Sequence, residues 1–332
     1  MVLRVAIGLG LIGYLVASGA IDGSRMLGLA RAWPLSAAAL LLIFLTLLLA
    51  SWRLCLLFAG QGLRLPLGAS LRLSLIGALF SNFLPGSTGG DLVRVYLAAR
   101  PNAGQRTEIA TTLVIDRIIG LMALLLTPVL IAAAGGRFIP GADSLRELVL
   151  AAMTGWIGLI AFLVIGAHPD GFVRRLVTRV LGGTRAGFHI ERVFESIRAH
   201  RNSGGIVLSA FALSMFIQVL NIVIIQLILL ANGASSVSWV AALLTPFGML
   251  ANSIPLTPGG IGVGEAAFET LFLIAGQTGG AEAILSWRVL TTLVDLFGGG
   301  LVIAGRTDIA VLRFAGSEPG DLRASDRREP AR

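Results

Sequence analysis

The nine residues Asn82-Phe83-Leu84-Pro85-Gly86-Ser87-Thr88-Gly89-Gly90 break an apolar stretch, and their skeleton returns at Asn252-Ser253-Ile254-Pro255-Leu256-Thr257-Pro258-Gly259-Gly260. In both copies proline follows asparagine by three positions, and a Gly-Gly pair follows proline by four and five. A short apolar run carrying a glycine, Gly77 or Gly248, precedes each copy. An arginine inside a later apolar segment follows each: Arg117 is 27 residues past Gly90, and Arg288 is 28 past Gly260. Recurrence of the break together with its downstream cation marks an internal duplication. Each copy would kink or interrupt a helix, because proline removes a backbone donor and clashes with the turn before it.

Composition sets the solvent. With 55% hydrophobic and 13% charged residues, the chain has several runs of roughly 18 or more residues almost without charge, the length a helix needs to cross a bilayer. The expected class is an all-α polytopic membrane protein. Every one of the 26 basic residues is arginine. That removes lysine Schiff-base chemistry and leaves cations suited to bidentate contact with phosphate or carboxylate. The net charge of +8 reads as arginines facing anionic lipid at the cytoplasmic surface, with no nucleic-acid partner. The single cysteine, Cys55, allows no intramolecular disulfide.

Charge placement sets the topology. Full spans are expected at 3–20 (read as an uncleaved first span), 35–59, 108–134, 148–167, 205–231 and 283–305. Trp52 and Arg53, near the inner end of the second, read as interfacial and snorkelling residues. Arg53, Arg64 and Arg72 before the first break, and Arg94, Arg100 and Arg106 after it, all belong on the cytoplasmic side. Both groups stay inside only if the segment between them dips into the membrane and returns. The two short apolar legs around the second break, 239–254 and 261–275, fit a hairpin entering from outside.

Seven arginines between His168 and Arg201 place that connector inside, as an amphipathic surface segment whose three histidines are solvated. About six full transmembrane helices plus two re-entrant hairpins result, with both chain ends cytoplasmic. A reading with eight full spans keeps the same ends. Residues 1–310 then form a single integral-membrane domain, and 311–332 a disordered cytoplasmic tail. Three full spans separate the hairpins, so the repeats at about 35–135 and 205–305, joined by the connector 168–204, are inverted, as in many transporters.

Non-helical backbone at membrane depth is tolerated where it lines a cavity, so the two breaks should meet at one and present a positive pocket. Arg117, roughly 15 Å into its helix, lies near the midplane, where an unpartnered cation is costly. It is expected either to pair with an acid such as Asp116, Asp91, Glu265 or Asp295, or to await an anionic group in a polar cavity. The two can coexist, with the acid as placeholder. Arg288 follows Trp287 and is read either as a site residue or as an interfacial anchor. Asp295, seven residues later on the same face, needs a partner or a proton.

Gly89-Gly90 and Gly259-Gly260 offer backbone N–H groups at helix starts, which bind phosphate or carboxylate. Asn82, Ser87, Thr88, Arg94, Asn252 and Thr257 complete the substrate-binding candidates. Asp91 and Glu265 sit where negative charge favours a helix start. Glu265 and Glu269 are one turn apart but lack a partnered histidine or metal-ligand set. No Walker loop, nucleophile motif or dinucleotide fingerprint appears, so no catalytic residue, metal or cofactor is assigned and the chain is not read as an enzyme.

The run Phe83 to Tyr96, the run Ile115-Asp116-Arg117-Ile118-Ile119-Gly120 and the run Pro258-Gly259-Gly260-Ile261-Gly262-Val263-Gly264-Glu265 resemble the hallmark segments of the lysylphosphatidylglycerol synthase transmembrane-region family. This is the membrane half of aminoacyl-phosphatidylglycerol synthase/flippases, and the resemblance covers about residues 1–310. It implies a protein of the bacterial inner (cytoplasmic) membrane that moves a lipid or lipid-linked intermediate between leaflets. The substrate would be an anionic phospholipid or a polyprenyl-phosphate-type lipid. The soluble aminoacyl-transfer domain is lacking, so the resemblance implies a stand-alone member acting on a lipid made elsewhere. A non-catalytic partner subunit of a membrane glycosyltransferase or lipid synthase, and a secondary transporter of a small anionic solute, are the alternatives.

Overall fold

The structure, a computed structural model, describes residues 28–83, 88–100, 102, 105–135, 142–167, 179, 204–254, 257 and 261–304. The expected first span at 3–20, the connector apart from Arg179 and Gly204, and the tail lie outside the described residues. So do Ser87, Gly259 and Gly260, and the side chains of Asn82 and Thr88, while Gly89 is described by its backbone alone.

Among the described residues the architecture is all-helical. A single turn, α1 (Gly28–Arg31), leads into α2 (Trp33–Gly60), followed by α3 (Leu67–Phe83), α4 (Thr88–Ala99), α5 (Arg106–Gly135) and α6 (Ala142–Ala167). The second half runs α7 (Gly204–Ala231), α8 (Trp239–Asn252), α9 (Val263–Ile274) and α10 (Gly280–Ala304). Four of these, α2, α5, α6 and α7, are long and apolar enough to cross a membrane, and they fall on the second to fifth expected spans. The chain is a polytopic membrane protein. At 25 residues α10 also has the length, but Glu282, Arg288 and Asp295 interrupt its hydropathy.

Local signals set the helix ends. Pro34 sits in the first turn of α2, where its missing N–H costs nothing. Beyond its end Gly62 takes φ 76°, a conformation that suits glycine. Ser238 caps α8 by accepting from the Ala241 N–H at 3.2 Å. Gly262, at φ 81°, turns the chain into α9 and donates its N–H to the Glu265 carboxylate at 2.8 Å.

The helices around the two breaks are short. With 17, 12, 14 and 12 residues, α3, α4, α8 and α9 reach only about 18–26 Å, less than the bilayer core of about 30 Å. Each pair folds back on itself, α3 on α4 and α8 on α9. The order long, short, short, long occurs in both halves, and the packing partners match. The contact of α3 with α10 corresponds to that of α8 with α5, and α2 and α7 pack on one another most extensively of all.

Both folded-back pairs close on glycine. A side chain on Gly90 would run into the Gly77 carbonyl and the Ser81 hydroxyl, so α3 and α4 cross backbone to backbone. The stem of Arg94 lies over Gly77, and the ring of Phe268 lies over Gly248. Arg94 stands three residues after Asp91, and Phe268 three after Glu265, so one structural place holds a cation in one half and an aromatic ring in the other.

Gly90→Ala is therefore expected to destabilise by about 1–3 kcal/mol, because a backbone carbonyl cannot move aside as a side chain can. Gly68→Ala, with nothing within 4 Å of the new methyl, is expected to hold or raise stability. Thermal unfolding in detergent compares them, and equal midpoints would count against the close crossing.

Buried apolar residues gather chiefly within each half. The largest cluster joins Ile224, Ile225 and Ile228 of α7 to Leu243 and Leu244 of α8 and to Phe268 and Phe272 of α9. A second packs Leu54 and Phe58 of α2 against Leu73 of α3 and Ile109 of α5. Large apolar side chains such as Leu41, Leu208, Phe216 and Phe297 point outward, as a lipid-facing surface requires.

Candidate functional site

A cavity of about 440 Å3 opens between the halves. Its wall includes Arg53 of α2, Ser74 and Ser81 of α3, Asp91 and Arg94 of α4, and Asp116 and Arg117 of α5. Asn221 of α7, Asn252 of α8, and Arg288 and Asp295 of α10 also line it. Of the residues expected from sequence, Asp91, Arg94, Arg117, Asn252, Arg288 and Asp295 are thus brought together. Both folded-back pairs contribute helices to this one wall.

Arg117 lies eleven residues past the start of α5, and its guanidinium donates from Nη2 to Asp91 Oδ1 at 2.6 Å. The side chain is 56% exposed, against 24% for Asp91. Both sequence expectations therefore hold together, an ion pair and a cation open to the cavity. Asp91 also faces Arg94 Nη1 at 3.6 Å, while Arg94 Nη2 donates to the Ser74 hydroxyl at 2.8 Å. Ser74 in turn meets the hydroxyl of Ser51 at 3.1 Å.

The second half reproduces this arrangement. Arg288 lies eight residues past the start of α10 and donates from Nε to Glu265 Oε1 at 2.8 Å. Its Nη2 donates to Asn252 Oδ1 at 2.7 Å and to Glu265 Oε2 at 3.3 Å. The interfacial-anchor reading of Arg288 is wrong for a physical reason: the guanidinium is held by buried acceptors and is only 13% exposed. Glu265 is fully buried behind it and also caps α9, so it orients the arginine without forming part of the cavity wall.

Two further expectations are corrected. Arg53 does not snorkel to the surface; its Nε donates to Asp116 Oδ1 at 2.8 Å and its Nη1 to Ser214 Oγ at 2.8 Å. Its distance from the end of α2 hides this, because the partners come from α5 and α7, far along the chain. The pocket is also not simply positive: Arg53, Arg94, Arg117 and Arg288 are matched by Asp91, Asp116 and Asp295 in the wall and Glu265 behind it. Excess cationic charge at that depth would be expensive, and carboxylates within reach offset it.

Thr257 is buried and donates its hydroxyl to the Ile261 carbonyl at 2.7 Å, so it holds the second break and does not line the cavity. Glu269 accepts from the Ala281 N–H at 2.9 Å, so both it and Glu265 serve helix starts instead of forming a reactive pair. The Arg53–Asp116 pair went unassigned in the sequence. Asp116 and Arg117 are neighbours about 100° apart around the helix, which sends one toward α2 and the other toward α4.

Neither the curated proteins nor the solved structures contain a match to this chain. The model of one family, described as the lysylphosphatidylglycerol synthase TM region, matches residues 1–299, which take in both folded-back pairs and all the charged groups of the cavity. A cavity with two matching arginine–acid pairs between apolar helices is thus the interior of a protein that belongs to the lysylphosphatidylglycerol synthase TM region family.

Proposed function

We propose that this chain is a flippase that carries an anionic lipid or lipid-linked intermediate between the leaflets of a bacterial cytoplasmic membrane. The family is that of a membrane, lipid-related, flippase-like region and not of an aminoacyl-transferring one. The phosphate of the head group is bound at Arg117, and the acyl or prenyl chain stays in the bilayer. The observation that carries this reading is a guanidinium more than half exposed in a cavity among apolar helices, held among the described residues by one carboxylate contact of 2.6 Å. Such a pair opens readily: one acceptor oxygen is exchanged for a phosphate oxygen of like charge, and Asp91 still faces Arg94.

The two halves, about 35–135 and 205–305, act as inverted repeats around this site, in support of which their helices share one order and one set of packing partners. The lipid is a phospholipid or a polyprenyl-phosphate type, delivered by a lipid synthase or membrane glycosyltransferase.

Leaflet exposure of a phosphate-headgroup lipid in proteoliposomes tests the proposal. Arg117→Ala is expected to slow movement at least about tenfold, the loss of one charge-assisted contact. Fold stability should change little, since the exposed pair is weakly stabilising. Movement at the wild-type rate in this variant would remove the assignment.

A further inference from the structure

The two arginine–acid pairs occupy matching places but stand in different states. Arg117, on the second long helix of the first half, reaches the first turn of α4 through one short contact among the described residues and is 56% exposed. Arg288, on the last helix of the second, reaches the first turn of α9 through both oxygens of Glu265 and through Asn252, with 13% of the arginine and none of the acid exposed. Composition supplies part of this difference, since Arg94 in one half stands where Phe268 stands in the other. The gap in exposure between two arginines that each meet an acid in the first turn of the matching helix is ascribed to conformation.

We infer that Arg288, with Glu265 and Asn252, is a second binding half-site for the same phosphate-bearing head group, closed here and opened as Arg117 closes. This rests on the flippase reading and on the two halves being inverted. Inverted halves that exchange conformations turn a site open toward one leaflet into a site open toward the other. The exchange conserves most of the energy, because the acceptors that one arginine gains are of the kind that the other gives up. A ligand need then supply only a small differential affinity to shift the population. The head group would meet Arg117 on one side and leave from Arg288 on the other, each acid re-pairing with its arginine behind it.

Side-specific thiol labelling tests this without any lipid substrate. In a Cys55→Ser background, Ala78→Cys reports on the cavity wall of the first half, and Thr257→Cys on the buried break of the second. A membrane-impermeant methanethiosulfonate is applied to right-side-out and inside-out vesicles. Ala78→Cys should react from one face, and Thr257→Cys slowly and from the opposite face. Glu265→Gln weakens the closed pair and should raise Thr257→Cys labelling about tenfold while lowering that of Ala78→Cys. Asp91→Asn should shift both rates the other way. Misfolding would move the two reporters together, so opposite signs separate it from exchange.

Labelling of both cysteines from one face, or equal responses to the two acid variants, would overturn the half-site. A half-site overturned in this way leaves the Arg117 transport result intact. Normal lipid movement in Arg117→Ala, in contrast, removes the flippase reading whatever the labelling shows.

Discussion

Arg288→Ala is expected to cost about 3–5 kcal/mol of stability, far more than Arg117→Ala, although the two arginines occupy matching places. Glu265 is fully exposed to nothing: its carboxylate sits at 0% accessibility with Arg288 as its cationic partner. Removing that partner leaves a buried charge held by the Gly262 N–H. The double variant Arg288→Met with Glu265→Gln should recover much of the loss, because neutralising both groups removes the unpaired charge along with the pair. Thermal unfolding in detergent measures all three. Similar midpoints for Arg288→Ala and Arg117→Ala would show that the second pair is no more sealed than the first.

The second large effect is expected at Arg53. Asp116 is 5% exposed at its side chain and receives Arg53 Nε at 2.8 Å, while the same guanidinium reaches across to Ser214 of α7. One arginine thus ties α2 to both α5 and α7, the helices that meet behind the cavity. Arg53→Met should destabilise by about 3–5 kcal/mol, and Arg53→Met with Asp116→Asn by substantially less. Ser214→Ala should cost about 1 kcal/mol, the net value of one hydrogen bond, since Asp116 keeps its partner. An Arg53→Met variant as stable as wild type would mean that the pair does not hold α2 to α5.

The contrast between these arginines shows where reading the chain succeeds. Arg117 and Arg288 stand out because each is a cation inside an apolar run at nearly the same distance from a repeated break. Depth in a membrane makes such a charge expensive enough to demand an explanation. Arg53 gave no such alarm. Seven residues from the end of its helix, it lies within reach of the interface for a long side chain, and only its packing shows that it points the other way. Asn252 was legible as part of the repeat, but its role as an acceptor for Arg288 depends on α8 ending opposite α10. Gly77 and Gly248 were visible as recurring glycines; that one admits an arginine stem and the other a phenyl ring was not.

Hydropathy and charge alone determined the all-helical membrane class, four of the long spans, the two broken segments and the presence of costly internal cations. These are one-dimensional properties: a run of apolar residues is long enough or not, and a charge inside it is read directly from the sequence. Only the tertiary structure decided which acid answers which arginine and which of the two matching pairs is open. Those outcomes depend on distances between helices far apart in the chain, where a shift of an ångström or two separates a sealed ion pair from a cation left to meet a ligand.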